Sequence, residues 1–155
     1  MESSCNSNSI HELCQKIIGV WWLLSREDFT ADGSARIDPS LGANPLGILT
    51  YTPSRFAAQF MKRNRSNDTS EEISIPGRNN TGAIGGYDAY FGTYEVDKES
   101  GEVIHHLEGA LTVSNVGINV SRKLQVEGDR LVIQLDTTTA DGEQITRTLK
   151  WQRIG

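Results

Sequence analysis

The sequence predicts an all-β protein: an eight-stranded antiparallel up-and-down barrel with a short N-terminal helix. Three observations carry this. After Gly19 the apolar residues recur at every second position, turn signals interrupt these runs at short intervals, and most connections are short enough to be hairpins. Sequential hairpins pair their neighbours antiparallel. Closing eight such strands into a barrel removes the unpaired edges that an open sandwich, the main alternative, would leave. At 155 residues the chain has the length of one domain, able to bury about 70% of its unfolded surface.

Met1 to Ser9 is rich in Ser and Asn. Residues 1–9 are expected to be a disordered tail, followed by one domain over 10–155. The tail has neither the basic patch nor the apolar core of a secretory signal. Ile10, Leu13, Cys14, Ile17 and Ile18 recur at helical spacing, Ser9 with Glu12 resembles a capping box, and Gly19 ends the helix. Strands are expected at 19–28, 46–52, 55–62, 90–97, 102–111, 117–126, 130–137 and 143–153. Asp32-Gly33, Asn44-Pro45, Pro53-Ser54, Ser100-Gly101, Glu127-Gly128-Asp129 and Asp141-Gly142 punctuate them. Residues 63–89 break the rhythm, being long, polar and rich in Gly, Asn and Ser. Loops of that length inside a compact domain are usually functional or disordered, and at a barrel rim this one is placed to act as a lid.

Alternate residues of a barrel strand face the lumen, so each strand's apolar face marks its inner set. Ile118, Val120, Leu124 and Val126 share a face with Arg122, while Asn119, Ser121, Lys123 and Gln125 take the other. In the last strand Ile145, Leu149 and Trp151 share a face with Arg147 and Arg153. A guanidinium in a core is costly unless paired or stacked, and packing over a Trp to seal one barrel end is the structural explanation. Val103, His105, Leu107 and Leu111 form the inner face of their strand, with His106 and Glu108 outside. Tyr90, Gly92, Tyr94 and Val96 form another. Gly47, Leu49 and Tyr51 form a third, and strand 55–62 offers either Ala57, Gln59 and Met61 or Phe56, Ala58 and Phe60. Small residues opposite aromatics leave room for one small ligand.

Much else is excluded. The net charge of −5 and pI near 5.2 argue against a nucleic-acid partner, which needs a concentrated basic face. The basic cluster Lys62-Arg63-Asn64-Arg65 is too small for one and reads as a solvated strand end. No apolar run reaches the roughly 18 residues of a membrane span. Cys5 and Cys14 show neither a metal-ligand nor a disulfide pattern. Phosphate-binding loops, zinc-protease motifs, nucleophile elbows and dinucleotide fingerprints are missing, and Gly82-Ala83-Ile84-Gly85-Gly86 lacks the lysine and the strand-to-helix context of a phosphate loop. The sequons at Asn64, Asn67, Asn79 and Asn119 read as chance in an Asn-rich chain. The expectation is a cytoplasmic protein without cofactor or metal, free to form a homo-oligomer.

Several stretches resemble the lipocalin-like domain family of small calycin-type barrels. They are Ile17-Ile18-Gly19-Val20-Trp21 with Leu23-Leu24-Ser25, Asp38-Pro39, Leu41-Gly42-x-Asn44-Pro45-x-Gly47, Tyr51-Thr52-Pro53 and Gly86-Tyr87-x-Ala89-Tyr90-Phe91-Gly92-Thr93-Tyr94. Val103-Ile104-His105-His106-Leu107-Glu108-Gly109, Gly117, Arg122, Gly128-Asp129-Arg130-Leu131 and Trp151-x-Arg153 complete the set. The resemblance runs from residue 17 to the end. It implies an eight-stranded barrel with a ligand-sized cavity whose base Trp21 closes. One departure is that the segment before Tyr87, usually helical in such proteins, is here rich in Gly, Asn and Pro.

Similar barrels occur among natural-product cyclisation enzymes, so the resemblance implies a cofactor-independent cyclase or isomerase acting on a hydrophobic small molecule. The residues suit that role: His105, Arg122 and Tyr94 as catalytic groups, with Arg122 stabilising a carbonyl oxygen and His105 exchanging a proton. Trp21, Tyr51, Gln59, Met61, Tyr90, Leu107, Arg147 and Trp151 are the expected ligand-binding set, holding the substrate in a reactive conformer. A carrier of a small apolar ligand and a barrel with a filled core are the alternatives.

Overall fold

The computed structural model describes residues 8–65, 79–97, 99–139 and 141–155. An N-terminal helix α1 (Asn8–Ile17) leads into β1 (Gly19–Thr30), β2 (Ala35–Arg36), β3 (Leu46–Tyr51), β4 (Arg55–Met61) and β5 (Tyr87–Val96). Then follow β6 (Val103–Ala110), a 3-10 turn (Val113–Asn115), β7 (Asn119–Glu127), β8 (Arg130–Thr138) and β9 (Gln144–Arg153). Every pairing is antiparallel. Around the barrel the order is β1-β3-β4-β5-β6-β7-β8-β9, and β9 pairs back onto β1 to close it. The two-residue β2 is a ribbon appended to the far end of β1. This is a closed eight-stranded antiparallel barrel, as the alternation predicts. The helix begins at Asn8, so residues 8 and 9 belong to it; the rest of the expected tail, with Cys5, lies outside the described residues.

Helix α1 plugs one end. Its Cys14 and Ile17 side chains are buried, and Trp21 beneath them is fully enclosed. The Trp21 indole N–H donates to the Ile17 carbonyl at 2.9 Å, satisfying one of the open acceptors at the helix C-terminus. Arg153 stacks its guanidinium 4.3 Å over the Trp21 ring and donates to the Ile18 and Lys16 carbonyls at 2.7 and 2.6 Å. A cation there also complements the helix dipole, so Arg153 is the arginine that seals a barrel end over a Trp. Gly19 permits the arrangement: at φ +140°, a Cβ there would lie 2.5 Å from the Arg153 guanidinium. Cys14 is disulfide-bonded, which two cysteines without a diagnostic spacing do not announce.

The lumen is packed with the inner faces of all eight long strands. Val120, Arg122 and Leu124 point inward from β7, while Asn119, Lys123 and Gln125 are exposed. In β4 the inner face is Phe56, Ala58 and Phe60, and Gln59 faces solvent. Burying two aromatic rings outweighs burying Met61 alone. Two irregularities reset the alternation. One lies between Leu23 and Ser25 of β1, the other between β5 and β6, where Phe91 and Gly92 pair with Gly109 and Leu107. Gly92 is required at the second, because a Cβ there would lie 1.9 Å from the His106 carbonyl oxygen.

Candidate functional site

The end of the barrel opposite α1 is crossed by residues 79–86, the second described stretch of the long connection. Asn80, Thr81 and Ala83 of this strap are buried. Polar contacts hold it: the Asn79 side-chain amide donates to the Asp136 carbonyl at 2.7 Å, Thr112 to the Gly82 carbonyl at 3.2 Å, and the Asn115 amide to the Thr81 carbonyl. Asn80 and Thr81 of the strap line the cavity beneath it, and residues 87–89 of the expected loop belong to β5. Its preceding residues 66–78, and with them the sequon at Asn67, lie outside the described residues.

Beneath the strap sit three buried arginines in two different settings. Arg147 of β9 faces Asp28, its register partner across the β1–β9 seam, and binds it with two parallel hydrogen bonds of 2.8 and 3.0 Å. Asp38, from the loop after β2, takes a further contact from Arg147 at 3.3 Å and one from Arg26 at 3.0 Å. Burial alone would raise the Asp38 carboxyl, but Arg26 and Arg147 hold it at about 2. Burial likewise opposes the Arg147 charge, and Asp28 and Asp38 more than restore it. The result is a paired ionic clamp across the closing seam.

Arg122 of β7 is set differently. Its Nη1 donates to the Asn79 side-chain oxygen and to the Ser121 carbonyl (2.9 Å), and its Nη2 to the Asn79 carbonyl at 3.3 Å. All are neutral acceptors, and no described carboxylate pairs with it. Burial lowers it to about 10, so the guanidinium stays charged at neutral pH. Its Nε–H and one Nη2–H have no protein acceptor among the described residues.

Near Arg122 is a neutral pair. The Tyr51 hydroxyl and His105 Nε2 share a hydrogen bond of 2.6 Å, within a cluster in which Phe56 lies 4.3 Å from the His105 ring. Burial, reinforced by Arg122 and His106, lowers His105 to about 3. Burial also pushes the Tyr51 hydroxyl well above the ordinary phenol range. Both shifts oppose proton transfer between them. At neutral pH the pair is an uncharged hydrogen-bonding unit.

These groups converge on one cavity of about 50 Å³, walled on its apolar side by Leu49, Phe56, Phe60, Ile133, Leu135, Leu149 and Trp151. That space holds a few water molecules and falls short of the ~300 Å³ of a typical ligand pocket. The buried Trp151 indole N–H has no hydrogen-bond partner among the described residues. The family model of the lipocalin-like domain matches residues 18–154. The chain belongs to the lipocalin-like domain family. Such a barrel fits small-molecule binding. No curated protein matches the chain. Among the described residues no helix is long and apolar enough to cross a membrane.

In this lipocalin-like barrel the residues singled out from the sequence fall into three groups. Arg122, His105, Tyr51, Tyr90, Arg147 and Trp151 all line the cavity. Tyr94, Trp21 and Leu107 are buried but outside its lining: the Tyr94 hydroxyl donates to the Thr52 carbonyl at 2.7 Å, and Trp21 belongs to the helix plug. Gln59 and Met61 face outward, lining a shallow groove with Trp22 and Ile48 on the outer wall. Asn79, one of the four sequon asparagines, holds Arg122. Sequence reasoning missed Arg26, Asp28, Asp38 and Asp88. Asp88 is an inward-facing residue at the start of β5, buried, and hydrogen-bonded by the Thr81 hydroxyl at 2.8 Å.

Proposed function

We propose that the barrel takes up a hydrophobic small molecule bearing a carbonyl oxygen and isomerises or cyclises it without a cofactor, as a step of specialised (natural-product) metabolism. The observation that carries this is Arg122. A buried guanidinium met only by neutral acceptors is costly, and a barrel selected only for a filled core has no use for one. Placed against a carbonyl, its two unpaired N–H groups stabilise the negative charge that develops on oxygen, and in a dry lumen that interaction is stronger than in water. The Tyr51–His105 pair adds neutral hydrogen-bonding capacity, with His105 orienting the Tyr51 hydroxyl. The aromatic and aliphatic walls restrict a flexible substrate to a reactive conformer, an effect worth several kcal/mol of barrier.

The test is Arg122→Met and His105→Ala, assayed for folding by circular dichroism and for conversion of compounds in an extract of the producing organism. Folded variants with turnover reduced by about 10²-fold or more support the reading; both variants turning over at the wild-type rate would refute it. A non-catalytic carrier is the second reading, favoured by the burial of the hydrogen-bonded Tyr51–His105 pair, which pushes the phenol up and the imidazole down, away from neutrality. Arg122 would then hold a ligand carboxylate, and the compound would be recovered unchanged.

A further inference from the structure

The cavity contains a second charge without an ionic partner. Asp88 lines it from β5, 5% exposed. Arg26 faces it from β1 and Arg147 from β9, but these are engaged by Asp38 and Asp28 at 2.8 to 3.3 Å. Its remaining neighbours are neutral: Thr81 on the strap, Tyr90 two residues along β5, and Phe60, its register partner on β4. No described cation lies within ion-pair distance of it. A carboxylate and a guanidinium thus line one cavity, each held by neutral groups and not by the other. In a purely structural core such a pair would close on itself; held apart, both charges remain available to a molecule between them.

We propose that Asp88 is the acid–base residue of this site, moving a proton between carbon atoms of the substrate whose carbonyl oxygen Arg122 holds. The proposal rests on the isomerase or cyclase reading of the barrel. In the first half of the step a C–H bond beside the carbonyl breaks as an O–H bond forms on Asp88, and the electron pair moves to the carbonyl oxygen as an enolate stabilised by Arg122. In the second half the enolate, extended over an adjoining C=C bond of the substrate, takes the proton at the far carbon of that conjugated system, which restores the carboxylate. Atoms and electrons balance with no co-reactant. The chemistry of the groups supports the assignment: burial raises Asp88 to about 6 despite the Thr81 hydrogen bond, near the range where an acid–base group works best at neutral pH, whereas His105 at about 3 is a poor base there.

The substrate class implied is a hydrophobic β,γ-unsaturated ketone or related carbonyl compound, with an acidic C–H between the carbonyl and the C=C bond. The experiment uses 2-tetralone as probe, with exchange of its acidic hydrogens in D₂O followed by proton NMR and its binding followed by tryptophan fluorescence. Wild-type protein is expected to accelerate exchange, with the rate rising through an inflection near the pH at which Asp88 ionises, about 6. Asp88→Asn, which keeps an acceptor for the Thr81 hydroxyl, is expected to bind the probe and lose about 10²-fold in exchange rate. An Asp88→Asn variant exchanging at the wild-type rate overturns the assignment and leaves the enzymatic reading standing, as does a wild-type profile with no inflection between about pH 5 and 7. The profile decides the matter even if the variant does not fold. Wild-type protein that binds 2-tetralone without accelerating exchange overturns both.

Discussion

Arg147 and Arg122 point into the same lumen from β9 and β7, both nearly sealed from solvent, yet they do opposite things. Arg147 meets Asp28 in a two-bond fork across the strand seam that closes the barrel, and its charge is cancelled where it lies. Arg122 meets an asparagine and a backbone carbonyl, so its charge is solvated but not cancelled. The contrast separates two uses of a buried cation in one barrel. A paired one fixes which strands meet, and an unpaired one offers its charge to a ligand.

The largest expected effect falls on the paired member. Arg147→Met leaves Asp28 and Asp38 short of their partner and should lower stability by about 3–5 kcal/mol in urea unfolding, whereas Arg122→Met should change it by no more than about 1 kcal/mol. Equal losses would erase the distinction. Asp88→Asn comes next. Its folded-state carboxyl at about 6 lies above the ordinary 3.8, so the folded protein binds the proton more tightly and wild type loses stability as pH rises from about 4 to about 6. The variant escapes this and should be more stable at pH 8 by up to about 3 kcal/mol, the difference vanishing near pH 4. His105 acts in the opposite direction. Its lowered value means the unfolded chain takes a proton that the folded one refuses, so stability falls as pH drops below about 6.5. Relative to His105→Gln, wild type should lose about 2 kcal/mol between pH 7 and 5 in thermal or urea melts. The smallest effect belongs to the third inward arginine of the sequence reading. Arg153→Leu removes a partly exposed stacking contact and a helix cap and should cost about 1 kcal/mol.

The two arginines were equally legible in the sequence, because each interrupts an otherwise apolar face with period two. Their partners were not. From Trp21 and Leu23, strict alternation would place Glu27 inward and Arg26 and Asp28 outward. The irregularity between Leu23 and Ser25 shifts the phase, so Arg26 and Asp28 face the lumen, and no residue type at 24 signals an inserted position. Asp88 was missed for a simpler reason. It shares the face of Tyr90, Gly92 and Tyr94, but an acidic residue beside a Gly-rich loop reads as loop, and the expected strand began at 90. Two further residues of β5 bring it inside. Gln59 and Met61 lie on a strand whose two faces are both largely apolar, and the aromatic volume of Phe56 and Phe60 decides which face turns inward. Tyr94 shows the limit of face assignment: it points inward, but its hydroxyl ends on Thr52, since height along the barrel axis is set by register and shear, which a single sequence does not reveal. The eight long strands and their order follow from local alternation and turn chemistry, which do not depend on distant partners, with boundaries displaced by up to three residues, whereas closure follows from the need to remove exposed edges.

On the proposed reading, the unpaired charge of Arg122 is the place where a small molecule is held. The most direct measurement is a crystal structure of the wild-type protein soaked with the compound it retains from an extract of the producing organism. The compound is expected inside the barrel, beneath the 79–86 strap, with an oxygen within hydrogen-bond distance of Arg122 Nε or Nη2 and its apolar part against Phe60 and Trp151. A compound seated in the outer groove beside Trp22 and Met61, or inside the lumen with only apolar contacts and Arg122 still bound to Asn79, would contradict it.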